Sequence, residues 1–559
     1  MKNYKWKFNL FAATMGVLLF CTGCTKDFGN INTNPSNVTT PDPKFLMTYA
    51  EDQLAVNGTE WVWESFEQLF RFTQHFTSSP YEITNNANSR YGVFYAQVLP
   101  NLFEIRRQIS LKADSADYAK MGATTYILQV LQGIKVTDLN GSIPYSEAIK
   151  GRYQGVFNPV FDTQETLFAT WLSQLNSAIT TLAAANTPTT KSFGTSDVYY
   201  KGDWIKWIKL ANTLKLRIAA RYENQDKTKT TAIAAQVIAD ATGPIQSVDD
   251  NLTYVNISYD AAGGAINYRD IKYGGIAIVD FMKKVSDPRI GVYFNPNSLV
   301  GSFKDTLTKY GKTLPSFINI NDPLIQFQGG PIDWTINTIP QKNYFGSNGF
   351  DGGGLNKYFL ISTINRRFYA PRWDGSTSGT FTELLASAGE SCLLIAEFIK
   401  KGYITGDAAA WYNKGIEASI KTMNAIAVTA GSTTPYSGTG ATEIAAFQTN
   451  PNVILDGTND LERIYIQQHL NLIRQPNEAY VFCRRTGYPK TGSAYYPRET
   501  FGEKIPRRFW ITDPGEVNRA NWTAAYTAQG FTPNVMDVLT LSNERVWYDK
   551  TAPEFGQGK

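Results

Sequence analysis

Histidine and cysteine are almost absent from this chain: two of the first and four of the second among 559 residues. Cys21 and Cys24 lie near the start, which leaves Cys392 and Cys483 for the body. That count excludes the disulfide framework on which small exported domains rely. Cys392 and Cys483 sit in helix-like apolar runs and read as small buried hydrophobes. Whether a bridge joins them is a matter of geometry that sequence does not supply. A Ser–His–Asp or Cys–His arrangement would have to recruit His75 or His469. Each lies among apolar neighbours, in Phe72-Thr73-Gln74-His75-Phe76 and Ile464-Tyr465-Ile466-Gln467-Gln468-His469-Leu470, and reads as a packed histidine. Two such distant histidines and scattered cysteines offer no zinc spacing. The EF-hand pattern for calcium is missing as well.

Excess charge is lacking too. The formal net charge is +4, and no dense basic stretch with interleaved aromatics occurs, so nucleic acid is not an expected partner. After residue 20 no run is apolar for the roughly 20 residues that a spanning helix needs. The glycines at 352–354 follow no strand pattern and lack the lysine of a phosphate loop. Paired carboxylates for glycoside hydrolysis cannot be read from spacing. The strand–helix alternation of a barrel hydrolase is missing, however. No catalytic residue and no cofactor are therefore expected.

What is present begins with Lys2, Lys5 and Lys7, then an apolar run over 8–20, then Cys21-Thr22-Gly23-Cys24. A basic start, a short apolar core and a small residue before a cysteine describe a lipoprotein signal. Cleavage after residue 23 would leave acyl chains on Cys24, since bulky Phe20 makes Cys21 the poorer acceptor. Residues 24–43, rich in Asn, Thr and Pro, read as a spacer between lipid and body.

From residue 44 onward the dominant period is helical. Phe168, Leu172, Leu175, Ile179 and Leu182 form one face, with Asp162 and Glu165 as a capping-box-like start. Asp203 opens a second helix with Trp204, Trp207, Ile208, Ala211, Leu214 and Ile218 inward. Ala388, Cys392, Ile395 and Ile399 form a stripe that Gly402 can end. Asp407 caps the next, with Tyr412, Ile416, Ile420 and Met423 inward. Such paired helices resemble tetratricopeptide-type repeats, without a clean period. Thr253-Tyr254-Val255-Asn256-Ile257 suggests a small hairpin. A long irregular stretch, about 295–378, carries Trp334, Tyr344, Tyr358, Phe368, Tyr369 and Trp373. So many aromatics argue against disorder there.

Six blocks in order resemble the SusD/RagB family of nutrient-binding lipoproteins, most nearly its SusD-like 2 branch. They are Asp27-Phe28-Gly29-Asn30-Ile31-Asn32-Thr33-Asn34-Pro35, then Thr137-Asp138-Leu139-Asn140-Gly141-Ser142-Ile143-Pro144-Tyr145-Ser146-Glu147-Ala148, then Pro159-Val160-Phe161-Asp162-Thr163-Gln164-Glu165 with the helix over 204–221. After them come Ala396-Glu397 with Gly402, Gly406-Asp407-Ala408 and Tyr412, then Arg484-Arg485-Thr486-Gly487-Tyr488-Pro489, then Ile505-Pro506-Arg507-Arg508. Each block also has a scaffold role: Gly141 and Pro144 suit a bend after a helix, and Arg484 and Arg485 suit a last turn that Gly487 ends.

The resemblance implies a mainly α fold, with tetratricopeptide-like helix pairs forming a scaffold under a loop-rich ligand face and minor β-hairpins. Residues 44–559 would be a single such domain, with the 295–378 stretch as a loop insertion. It implies a lipid-anchored outer-membrane protein that captures oligosaccharide, without turnover, for a SusC-like TonB-dependent transporter. Peptide is the alternative ligand, and a membrane-tethered glycoside hydrolase is the rival class. Surface export is linked in the family to acidic residues after the lipid cysteine, and here only Lys26-Asp27 stand there. Ligand contacts are expected on two loops, because rigid scaffolds display binding residues there. One is 78–91, with Tyr81, Asn85 and Tyr91. The other holds Trp334, Arg366, Tyr369 and Trp373.

Overall fold

The apolar stripes become helices that pack in pairs. The computed structural model describes residues 40–77, 88–256, 273–300, 309, 311, 313–333, 360–369 and 380–558. In the first half, α1 (Pro43–Asp52), α2 (Leu99–Ser110), α3 (Ala119–Asn140), α4 (Gln164–Ala183), α5 (Trp204–Tyr222) and α6 (Lys227–Ala239) each pack on the next. After α7 (Ile276–Lys284), the second half is built on α8 (Ala388–Lys400), α9 (Ala408–Ala430), α10 (Asp460–Asn471) and α11 (Pro476–Thr486). Here α8 packs on both α9 and α10. Two large apolar clusters run through the scaffold, each drawing on both halves.

Two of the three helix starts that the sequence names are found. Asp203 accepts from the N–H groups of Ile205 and Lys206, and Asp407 from that of Ala410. The start of α4 differs. Its cap is Thr163, whose hydroxyl accepts from Thr166 N, and not Asp162. Asp162 lies on a short strand, and its carboxylate accepts from Tyr145 N (2.9 Å), Ser146 N (2.8 Å) and Ser146 Oγ (2.7 Å). Along α4, Phe168, Leu175 and Leu182 are buried as expected, joined by Leu167 and Trp171. Trp171 demands a glycine opposite: a Cβ on Gly133 of α3 would meet its ring at 2.7 Å.

Three two-stranded antiparallel pairs complete the secondary structure among the described residues. They are β1 (Phe76–Thr77) with β5 (Tyr273–Gly274), β2 (Ile143–Pro144) with β3 (Phe161–Asp162), and β4 (Leu252–Asn256) with β6 (Phe381–Ala386). The strand-like run is thus a strand over its described residues, 253–256, but no hairpin. Its partner comes from far along the chain, because β4 finds its hydrogen bonds on the segment that leads into α8. The described parts of 295–378 are irregular except for a short helix, Arg366–Tyr369.

Buried ion pairs lock the helices together. Arg217 and Arg221 of α5 reach Glu390 of α8 (2.5 Å), Asp138 of α3 (2.7 Å) and Glu478 of α11 (2.8 Å). Arg485 does stand in the last turn of α11, before Gly487 at φ +69°. Its guanidinium is buried, however, and answered by Glu397 of α8 at 2.5 Å rather than by the helix dipole alone. Removing one member of such a pair strands the other charge, at a cost of about 3–5 kcal/mol.

Candidate ligand-binding face

Loop roots converge on one part of the scaffold. Thr77 pairs with Tyr273, and Asn256 with Phe381. Tyr273 also bridges Thr363, and Gly275 bridges Gly330. Stretches 78–87, 257–272, 334–359 and 370–379, which lie outside the described residues, start or end at or near these pairs.

Beneath the roots lies an aromatic floor. A π-helix over Glu60–Leu69 supplies Trp61 and Phe66, and Phe70 follows it. Phe66 meets Phe70 (5.2 Å between centroids), Phe76 (6.0 Å) and Tyr369 (6.2 Å), and Trp61 meets Phe381 (5.4 Å). Most of these pairs are edge-on or tilted, the arrangements that ring quadrupoles favour. Arg474 is buried in their midst, with its guanidinium 4.7 Å from the Phe381 centroid and 5.1 Å from that of Phe368. It donates to the carbonyls of Phe368 (3.2 Å), Tyr369 (3.4 Å) and Thr382 (2.5 Å). One side chain thereby ties together both roots of 370–379. Nothing in the local sequence of Leu472-Ile473-Arg474 signals that role.

Of the residues proposed from sequence, Cys24, Tyr81, Asn85, Trp334 and Trp373 lie outside the described residues. Trp334 directly follows Asp333, whose carboxylate accepts from Gly502 N at 3.2 Å. Arg366 and Tyr369 share the short helix, and Arg366 is partly exposed. Tyr369 is fully buried and packs edge-on against Phe76 at 5.1 Å. Its ring belongs to the floor, a position that offers no open face to a ligand. The aromatic content of the loop misled here: Phe368 and Tyr369 are drawn down by the same apolar burial that builds any core. Tyr91 is partly buried on the Ser89–Val93 helix and packs on Tyr95 at 4.7 Å.

Charge is concentrated behind the π-helix. Glu60 is buried between Arg90 and Lys135, and these cations hold its carboxyl below the usual range. Glu64 accepts from Asn88 N (2.7 Å), and Glu383 accepts from Val56 N (2.7 Å). Burial pushes both carboxyls up to about 7. Both hold backbone at the ends of segments that the sequence left unremarkable.

The two histidines, distant in sequence, stack in space at 3.7 Å between centroids and 5° between planes. His75 Nε2 donates to the His469 carbonyl (2.8 Å), and His469 Nε2 donates to the Thr73 carbonyl (2.7 Å). Tyr496 donates its hydroxyl to His469 Nδ1 at 3.1 Å. Burial pushes the His75 imidazole down to about 4 and His469 well below its ordinary value. They are packed histidines, as read, but they pack on each other. Cys392 and Cys483 are free and buried, with thiols pushed up to about 12 by desolvation.

The family model SusD-like_2, described as starch-binding and associating with the outer membrane, matches residues 35–511. A solved chitin-binding protein has TM-score 0.68 at 23% identity, covering 91% of this chain and 100% of that one. A SusD homolog from Bacteroides fragilis gives 0.64 at 19% identity, covering 91% and 100%. A chitin-binding SusD homolog from Flavobacterium johnsoniae gives 0.62 at 19%, covering 91% and 98%. At these identities the likeness is one of fold. A search of curated proteins found no match. Among the described residues no helix is long and apolar enough to cross a membrane. The span of the family match shows that the chain belongs to the SusD-like family of outer-membrane-associated proteins.

Proposed function

We propose that this SusD-like chain is a lipid-anchored protein of the outer cell surface that captures oligosaccharide and passes it, unmodified, to a SusC-like TonB-dependent barrel. The observation that carries the reading is the family match over 35–511, in a family described as starch-binding. Two of the structural neighbours are named as chitin-binding, which points the same way. The described residues that flank stretches 78–87, 257–272, 334–359 and 370–379 gather over one aromatic floor. Trp334 and Trp373 belong to two of these stretches by sequence, and sugars offer C–H surfaces that stack on such rings. Anchoring through Cys24 and the 24–43 spacer places that face outside the cell, where polymer fragments arrive. The lipid anchor alone moves nothing across the membrane, so a barrel partner is part of the reading.

Glycan-array screening followed by calorimetry tests the capture step. An oligosaccharide should bind, and Trp334→Ala and Trp373→Ala should each weaken it about tenfold, the worth of one stacked ring. Binding of peptides with no glycan bound would replace oligosaccharide by the peptide alternative. Release of shortened sugars from the bound oligosaccharide would overturn the non-catalytic reading.

A further inference from the structure

The π-helix that builds the aromatic floor has a second side. There an open cleft of about 700 Å³ runs between it and a second π-helical segment, Phe94–Val98, with the adjoining Ser89–Val93 helix. Small-molecule sites commonly occupy about 300–1,000 Å³. The π-helical turn is rare and frequently found at functional sites, and here two such segments face one cleft. Their walls are joined at one end, where Asn57 Nδ2 lies 3.5 Å from Ser89 Oγ and Asn57 Oδ1 accepts from Glu60 N at 2.9 Å.

The chemistry of the lining is selective. Trp63 packs partly on the second apolar cluster and borders the cleft, with Val62 and Val93 beside it. Thr59 and Gln97 bring a hydroxyl and an amide that hydrogen-bond to no described side chain or backbone group. No lining residue is ionisable. The charges of this region lie behind the wall, where Glu60 and Glu64 are buried and turned to Arg90, Lys135 and Asn88 N. An anionic ligand would find no cation in the lining to pair with. A cationic one would find no exposed carboxylate. An uncharged ring with an apolar face and hydroxyl edges meets both the indole and the neutral polar groups.

We propose that this cleft is a subsite for a neutral pyranose ring, stacked on Trp63 and hydrogen-bonded by Thr59 and Gln97. The proposal rests on the oligosaccharide reading above and narrows it to uncharged sugars.

Gly92 provides a clean test. It borders the cleft in helical backbone, and a Cβ placed there meets nothing within 4 Å. Gly92→Phe therefore fills the cleft without pressing on the fold, whereas Trp63→Ala removes the stacking face. The detergent-solubilised full chain is titrated calorimetrically with maltoheptaose, chitohexaose and an oligogalacturonate. A neutral oligosaccharide should bind the parent chain, with Trp63→Ala about tenfold weaker and Gly92→Phe at least as impaired, at unchanged melting temperatures. The oligogalacturonate should bind more weakly, and added salt should not alter affinity for the neutral sugar. If Gly92→Phe binds the neutral sugar as the parent does, the subsite is overturned and the oligosaccharide reading stands. If the parent binds only the oligogalacturonate, the preference for neutral sugars is overturned and glycan capture stands. If it binds none of the three and takes peptides instead, both readings fall together. Should Trp63→Ala lose its fold, Gly92→Phe alone decides.

Discussion

At the scale of single residues, burial decides what titrates. His75 has an ordinary value of 6.5 that burial lowers to about 4 in the folded chain. Between those values the unfolded chain takes up a proton that the folded chain refuses. Stability is therefore full above about pH 6.5 and falls as pH drops toward 4, by on the order of 3 kcal/mol for this ring. His469 shifts in the same direction and adds to the loss. Because the chain has only two histidines, nitrogen-15 histidine NMR reads both directly. At pH 5.5 both rings should remain neutral with the proton on Nε2. A ring that titrates near 6.5 would contradict the stacked, carbonyl-bound pair. Sequence showed apolar neighbours around each histidine and so gave the right packing, but no periodicity links residue 75 to residue 469.

Elements show how closely spaced residues trade roles. Asp162 and Thr163 are both good caps by type, and sequence favoured the first because of Glu165. Strand pairing of β3 with β2 turns Asp162 toward the 145–146 bend and leaves Thr163 to cap α4. Thr163→Ala should cost about 1 kcal/mol in urea unfolding. Asp162→Ala should cost more, about 2 kcal/mol, because three donors lose a charged acceptor. The reverse order would restore Asp162 as the cap. Arg474 acts between elements. Arg474→Met keeps the apolar stem but strands three carbonyls at the two roots of 370–379, so about 3 kcal/mol of stability should go. Oligosaccharide binding should weaken at temperatures well below the lowered melting point. Unchanged stability would mean that the floor holds those roots without the guanidinium.

For the whole molecule, the proposals join a tether, a face and a partner. Cys24→Ala should release the chain from the membrane fraction and abolish acyl labelling. Persistent labelling would move the lipid elsewhere. Affinity purification of the lipidated chain from detergent-solubilised outer membranes should recover a TonB-dependent barrel. Recovery of the lipoprotein alone, under conditions that keep a control barrel complex intact, would remove the transporter from the reading.

The sequence by itself determined helices α4, α5, α8 and α9 of the scaffold, the buried state of Cys392 and Cys483, and the family. Those features rest on local periodicity, on cap residues and on ordered blocks, and all of these are written along the chain. Only the tertiary structure decided that Tyr369 is core, that β4 pairs with β6, and that Arg474 ties loop roots together. It also decided that Trp61 and Trp63, two residues apart on one π-helix, serve floor and cleft in turn. Each of these depends on contacts between segments far apart in sequence. An aromatic or charged side chain has no inside or outside until its long-range neighbours are in place.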